Sequence, residues 1–86
     1  MSDDIPLPSI EEIQQQWKRP NVLAYLRSKQ EELDLDDEDI QIIEKKKVSG
    51  DDFLDLNTEE LMKYGLEDGP AKRIVKLVKK IKGEGQ

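Results

Sequence analysis

Apolar residues recur along this chain at helical spacing, and no segment alternates apolar and polar with the period of two that marks a half-buried strand. The clearest case is "IVKLVKKI". Ile74, Leu77, Val78 and Ile81 fall at i, i+3, i+4 and i+7, one stripe of a helix, while Lys72, Lys76 and Lys79 project from the opposite side with Arg73 and Lys80 on the flank. Upstream, Ile10, Ile13 and Trp17 share a face. Ser9 followed by Glu12 fits a capping box for this short helix, and Pro20 is expected to end it. Asn21 can cap a second helix, "VLAYLRSKQEEL", whose stripe is Val22, Leu23 and Leu26.

In "LDLDDEDIQIIEKKK" Asp34 or Asp36 can cap a third helix, with acids in its first turn and lysines in its last, the order the helix dipole favours. "VSGDDFLDL" reads as one or two turns capped by Ser49, with Phe53 and Leu54 turned inward. Asn57 and Glu60 form a capping box for "TEELMKY", which Gly65 closes in a left-handed conformation. Gly69 and Pro70 open the last helix, with proline expected at its first position. The pattern predicts an all-α bundle of four or five short helices and a longer C-terminal one. Residues 1–8 read as a flexible leader, 9–82 as the domain and 83–86 as a frayed tail.

Composition narrows the function. At 86 residues the chain holds one small domain at most, burying roughly 60% of its unfolded surface. The absence of cysteine and histidine removes disulfides, the usual zinc sites and the common nucleophile and base pairings. No apolar run approaches a membrane span, and the N-terminus lacks a signal-peptide pattern, so an intracellular setting is the expectation. Charged residues make up 40% of the chain, which alone would lean toward disorder; the helical periodicity decides otherwise.

The charge is also unevenly placed. Residues 1–30 carry four acids and four bases, residues 31–68 fifteen acids and four bases, and residues 69–86 one acid and six bases, so net charges of 0, -11 and +5 sum to -6. Lys72 and Arg73, read at the start of the last helix, oppose the positive end of its dipole; an acidic partner would explain them, as would a solvated basic face with Glu67 and Asp68 complementing the dipole. Asp51, Asp52, Asp55, Glu59 and Glu60 exceed what capping can use, and the surplus repels itself unless a basic partner meets it.

The run "IIEKKKVSGDDFLDLNTEELMKYGLEDGPAKRI" resembles the signature half of a SAM (sterile alpha motif) domain. The features that carry the likeness are the apolar residue five before Val48, then Gly50, Phe53 and Leu54, Leu56, Asn57 as a cap, Leu61, Gly65 with Leu66, and Gly69-Pro70 ahead of a basic pair and Ile74. Trp17 and "VLAYL" are similar to the family's opening tryptophan and first helix. Two features depart from the pattern: the interval after "VLAYL" is longer and more acidic, and isoleucines replace aromatics on the helix carrying Ile43.

The resemblance implies a five-helix, non-catalytic module of protein interaction with no cofactor, here with a further N-terminal helix. Some such domains join head to tail, the start of the last helix docking on the middle of the next domain. Mapped onto this chain, the end-helix side is Gly69, Pro70, Ala71, Lys72, Arg73 and Lys76, and the mid-loop side is Asp51, Asp52, Asp55 and Glu59. The implied partner is another SAM domain or a second copy of the chain, held by salt-sensitive contacts; a monomer is the other expectation.

Other chemistries fit less well. "DLDDEDIQIIEK" superficially resembles a calcium loop, but counting from Asp34 its sixth position is Asp39 instead of glycine and its twelfth is Lys45 instead of glutamate. RNA binding through Lys72, Arg73, Lys76, Lys79 and Lys80 is the main alternative, opposed by the net -11 segment. The basic helix lacks the apolar wedges needed to enter a lipid surface.

Overall fold

A glycine hydrogen explains why the first helix can lie where it does. In the computed structural model, which describes residues 8–83, a Cβ on Gly50 would stand 2.2 Å from the Ile13 carbonyl oxygen and 2.7 Å from the Trp17 Cβ. No side chain fits that gap. The Gly50 N–H, which would be an unpaired donor at the start of its helix, donates instead to the Trp17 carbonyl at 3.1 Å.

The described residues form six helices and no strand: α1 (Ile10–Gln16), α2 (Arg19–Ser28), α3 (Asp37–Lys45), α4 (Gly50–Leu54), α5 (Thr58–Tyr64) and α6 (Asp68–Ile81). The all-α expectation holds, with α1 as the additional N-terminal helix and α6, at 14 residues, the longest. The flexible leader expected over 1–8 and the frayed tail expected over 83–86 lie, except for residues 8 and 83, outside the described residues.

Capping sets most of the boundaries. The Ser9 hydroxyl accepts from the Glu12 N–H at 3.1 Å, and the Asn57 side chain accepts from the Glu60 N–H at 2.8 Å. Asp36 caps α3, and the Asp39 carboxylate reaches back to the Asp36 N–H at 3.0 Å. Gly65 closes α5 at φ +117, a conformation open to glycine at no steric cost.

Four boundaries differ from the sequence-based expectation, the first being that α2, expected to run on to Leu33, ends at Ser28. Pro20 does not end α1; it lies in the first turn of α2, where its missing N–H leaves nothing unpaired. Asn21 does not cap α2 from in front but from inside, its side chain accepting from the Lys18 N–H at 2.9 Å. α6 begins at Asp68, ahead of Gly69, so Pro70 is third in the helix and an acid occupies its first turn.

The core gathers Ile13, Val22, Leu26, Ile40, Ile43, Phe53 and Leu61 with Ala71, Ile74, Leu77, Val78 and Ile81 of α6. The half-buried Trp17 covers its edge, with ring centroids 5.1 Å from Tyr25 and 6.5 Å from Phe53. Ile13 and Trp17 of the expected stripe therefore pack inward, while Ile10 remains exposed. The Tyr25 hydroxyl is buried with no hydrogen-bond partner among the described residues. Its burial, and then the charge of Glu32, raise its pKa above the usual value near 10.0.

Two predictions follow from this packing. Gly50→Ala is expected to cost at least about 2 kcal/mol, because α1 must move or α4 unwind to admit a methyl group; urea denaturation showing a loss below about 0.5 kcal/mol would refute the close approach. Tyr25→Phe is expected to raise stability by about 1 kcal/mol at neutral pH by removing an unpaired buried hydroxyl. Because the folded state holds the Tyr25 proton more tightly than the unfolded one, stability is complete below pH about 10 and falls as pH rises past it; Tyr25→Phe should flatten that decline, read from urea midpoints at pH about 8 and 11.

Candidate interaction surfaces

The basic residues of α6 divide between framework and surface. Lys72 is exposed and pairs one turn back with Asp68, Nζ to Oδ2 3.2 Å, a solvated contact worth about 0.3–0.5 kcal/mol. Since α6 starts at Asp68, Lys72 stands in its second turn, and the opposition to the helix dipole read from the sequence largely disappears. Lys76, Lys79 and Lys80 are exposed and form no ion pair with another described residue.

Arg73 points inward to the turn between α2 and α3. Its Nε donates to the Leu33 carbonyl, and its Nη2 donates to the Asp34 carbonyl at 3.0 Å. That turn places Asp34 at φ +55, a left-handed conformation that aspartate tolerates better than most residues. The planar fork of a guanidinium suits two neighbouring carbonyl oxygens. Gly69 gives it room, since a Cβ there would lie 3.2 Å from Nη1. Of the expected end-helix residues, Lys72 and Lys76 therefore face solvent, Gly69, Pro70 and Arg73 are half-buried, and Ala71 is fully buried. The assignment of Ala71 to a surface is corrected: its side chain belongs to the core because it lies on the same face of α6 as Ile74 and Val78.

The expected mid-loop acids, Asp51, Asp52, Asp55 and Glu59, are all exposed. Asp52 also has an internal task, its Oδ2 accepting from the Ser49 N–H at 3.2 Å and the Ser49 hydroxyl at 3.1 Å. The nearby Tyr64 registers the local field: burial foremost, then the charges of Glu60 and Asp52, raise its pKa. The Lys46 ammonium stands 5.5 Å from its ring centroid. Among the described residues no ion pair joins Lys72, Arg73 or Lys76 to Asp51, Asp52, Asp55 or Glu59. The two charge groups are left unneutralised by each other.

A family model for the SAM-like domain matches residues 1–80. The chain belongs to the SAM-like domain family. SAM-like domains serve in general as protein-interaction modules and are typically non-catalytic. No curated protein and no solved structure matched the chain.

Within this SAM-like domain, no helix of the described residues is long and apolar enough to cross a membrane, and no cluster of three or more carboxylates among them could hold a metal ion. Sequence reasoning missed the clamp by Arg73. Its signals were the choice of arginine over lysine beside a glycine, and an unusually long acidic interval after α2 that needs an anchor. Sequence reasoning also missed Lys82, whose Nζ donates to the Leu54 carbonyl at 3.1 Å and caps the end of α4.

The division of labour on α6 is testable. Arg73→Lys is expected to cost about 1–2 kcal/mol, since an ammonium cannot serve both carbonyls in the same geometry, while Lys72→Gln should change stability by less than about 0.5 kcal/mol. Equal effects in thermal denaturation would contradict the assignment.

Proposed function

We propose that this SAM-like domain joins another SAM domain, or a second copy of itself, through the exposed lysines of α6 on one side and the acids of α4 and α5 on the other. It acts as a non-catalytic connector within a larger intracellular assembly. One observation carries this reading: both charge groups face solvent, and no intramolecular ion pair connects them.

Lys72 and Lys76 supply positive charge at the docking end, and Lys79 and Lys80 extend it along the helix. Gly69 and Arg73 act from beneath, fixing where that helix starts. Asp51, Asp52, Asp55 and Glu59 receive the partner, with Asp52 held in place by Ser49. A single exposed pair contributes only about 0.2–1 kcal/mol, so several must act together. Modest affinity that weakens as salt rises follows from that sum.

Lys72→Glu and Asp51→Lys each replace a solvent-facing charge without removing a cap. Each removes an attraction and adds a repulsion of similar size, so each is expected to weaken association about two- to tenfold by sedimentation at low salt, and an equimolar mixture of the two should recover one contact. An unchanged monomer for the parent chain and both variants at high concentration would refute the reading.

A further inference from the structure

Two solvent-accessible features of the described residues are complementary. The first is a cleft between the α2–α3 turn and α6, lined by Glu32, Leu33, Arg73, Lys76, Leu77 and Lys80, with a cavity volume of about 170 Å³. At about 30 Å³ per water molecule it has room for a single medium-sized side chain. Leu33 and Leu77 supply apolar walls, while Arg73, Lys76 and Lys80 surround them with positive charge. The one acid, Glu32, is drawn to Lys29 at 3.4 Å. A site of this kind suits an apolar side chain with a carboxylate beside it.

The second feature is Met62. It is 47% exposed, more than Ile10 at 37%, and these are the two large hydrophobic side chains exposed among the described residues. Leu61 turns into the core and leaves Met62 on the outer face of α5. Glu59 precedes it by three positions, so the two side chains are neighbours on the helix surface, both solvent-facing. Lys63 lies on the far side of Glu59, about 100° around the helix from Met62. An unbranched thioether adapts to an irregular gap at little cost in strain.

We infer that Met62 of one copy enters the cleft between the α2–α3 turn and α6 of a second copy, with Glu59 meeting Lys76 and Lys80 at its rim. This rests on the proposed association of copies and supplies its apolar anchor, which exposed ion pairs alone lack. Knob and cleft belong to different elements, so two copies either exchange them about a two-fold axis and close as a dimer or, unreciprocated, join head-to-tail into an open chain or ring.

The test uses sedimentation velocity on the full chain over a concentration series at low salt, with Met62→Ser and Lys80→Glu as single variants. Each is expected to raise the dissociation constant at least tenfold. Because Met62→Ser keeps its cleft and Lys80→Glu keeps its knob, their equimolar mixture should form a 1:1 dimer that grows no further. Ile10→Ser removes comparable exposed apolar surface elsewhere and should associate like the parent.

If Lys72→Glu and Asp51→Lys weaken association while Met62→Ser changes it less than twofold, the anchor is overturned and the broader reading survives. Loss in Lys80→Glu with full association in Met62→Ser gives the cleft another occupant and overturns it equally. A parent chain that stays monomeric throughout overturns both. Circular dichroism on each variant separates lost contact from lost fold, since both substituted side chains face solvent.

Discussion

The near contact of the α1 backbone with Gly50 is the constraint from which the rest of the packing follows. With the Ile13 carbonyl closer to Gly50 than any β-carbon could tolerate, α1 settles directly onto the start of α4. That position buries Ile13 completely and brings Trp17 over Tyr25 and Phe53. A small domain gains disproportionately from such an addition, because its core is thin and each buried side chain is a large share of a marginal total. The hydrogen bond from Gly50 to Trp17 also satisfies a donor that the start of α4 would otherwise lose.

That same contact accounts for where sequence reading failed. Trp17 is extended so that its carbonyl can meet Gly50, and α1 stops at Gln16 as a result, four positions before the proline that looked like its terminator. Proline stops one helix and starts another with equal ease, and tertiary geometry decides between the two. By contrast, α3, α5 and the buried stripe of α6 were legible because local signals agreed: caps, dipole-ordered charge and a 3.6-residue period. The start of α6 was misread by two residues because the Gly69-Pro70 pair hid a first turn that already begins after Glu67.

Of the charged residues singled out from sequence, exposure was legible and internal use was not. Lys72, Lys76, Asp51, Asp55 and Glu59 face solvent as their helical positions imply. Arg73 does not behave as a surface charge, because the carbonyls it reaches lie 40 and 39 positions earlier in the chain. No spacing rule operates over that distance. Asp52 serves both the α4 cap and the local negative field, showing that a cap need not consume a charge.

Arg73 and Lys82 also impose a direction in time. Both reach back to carbonyls of earlier elements, in the α2–α3 turn and at the end of α4, and the segment between them provides one whole wall of the core. The carbonyls of the α2–α3 turn and of the end of α4 therefore gain these partners only when α6 packs, so the two places are completed together and last.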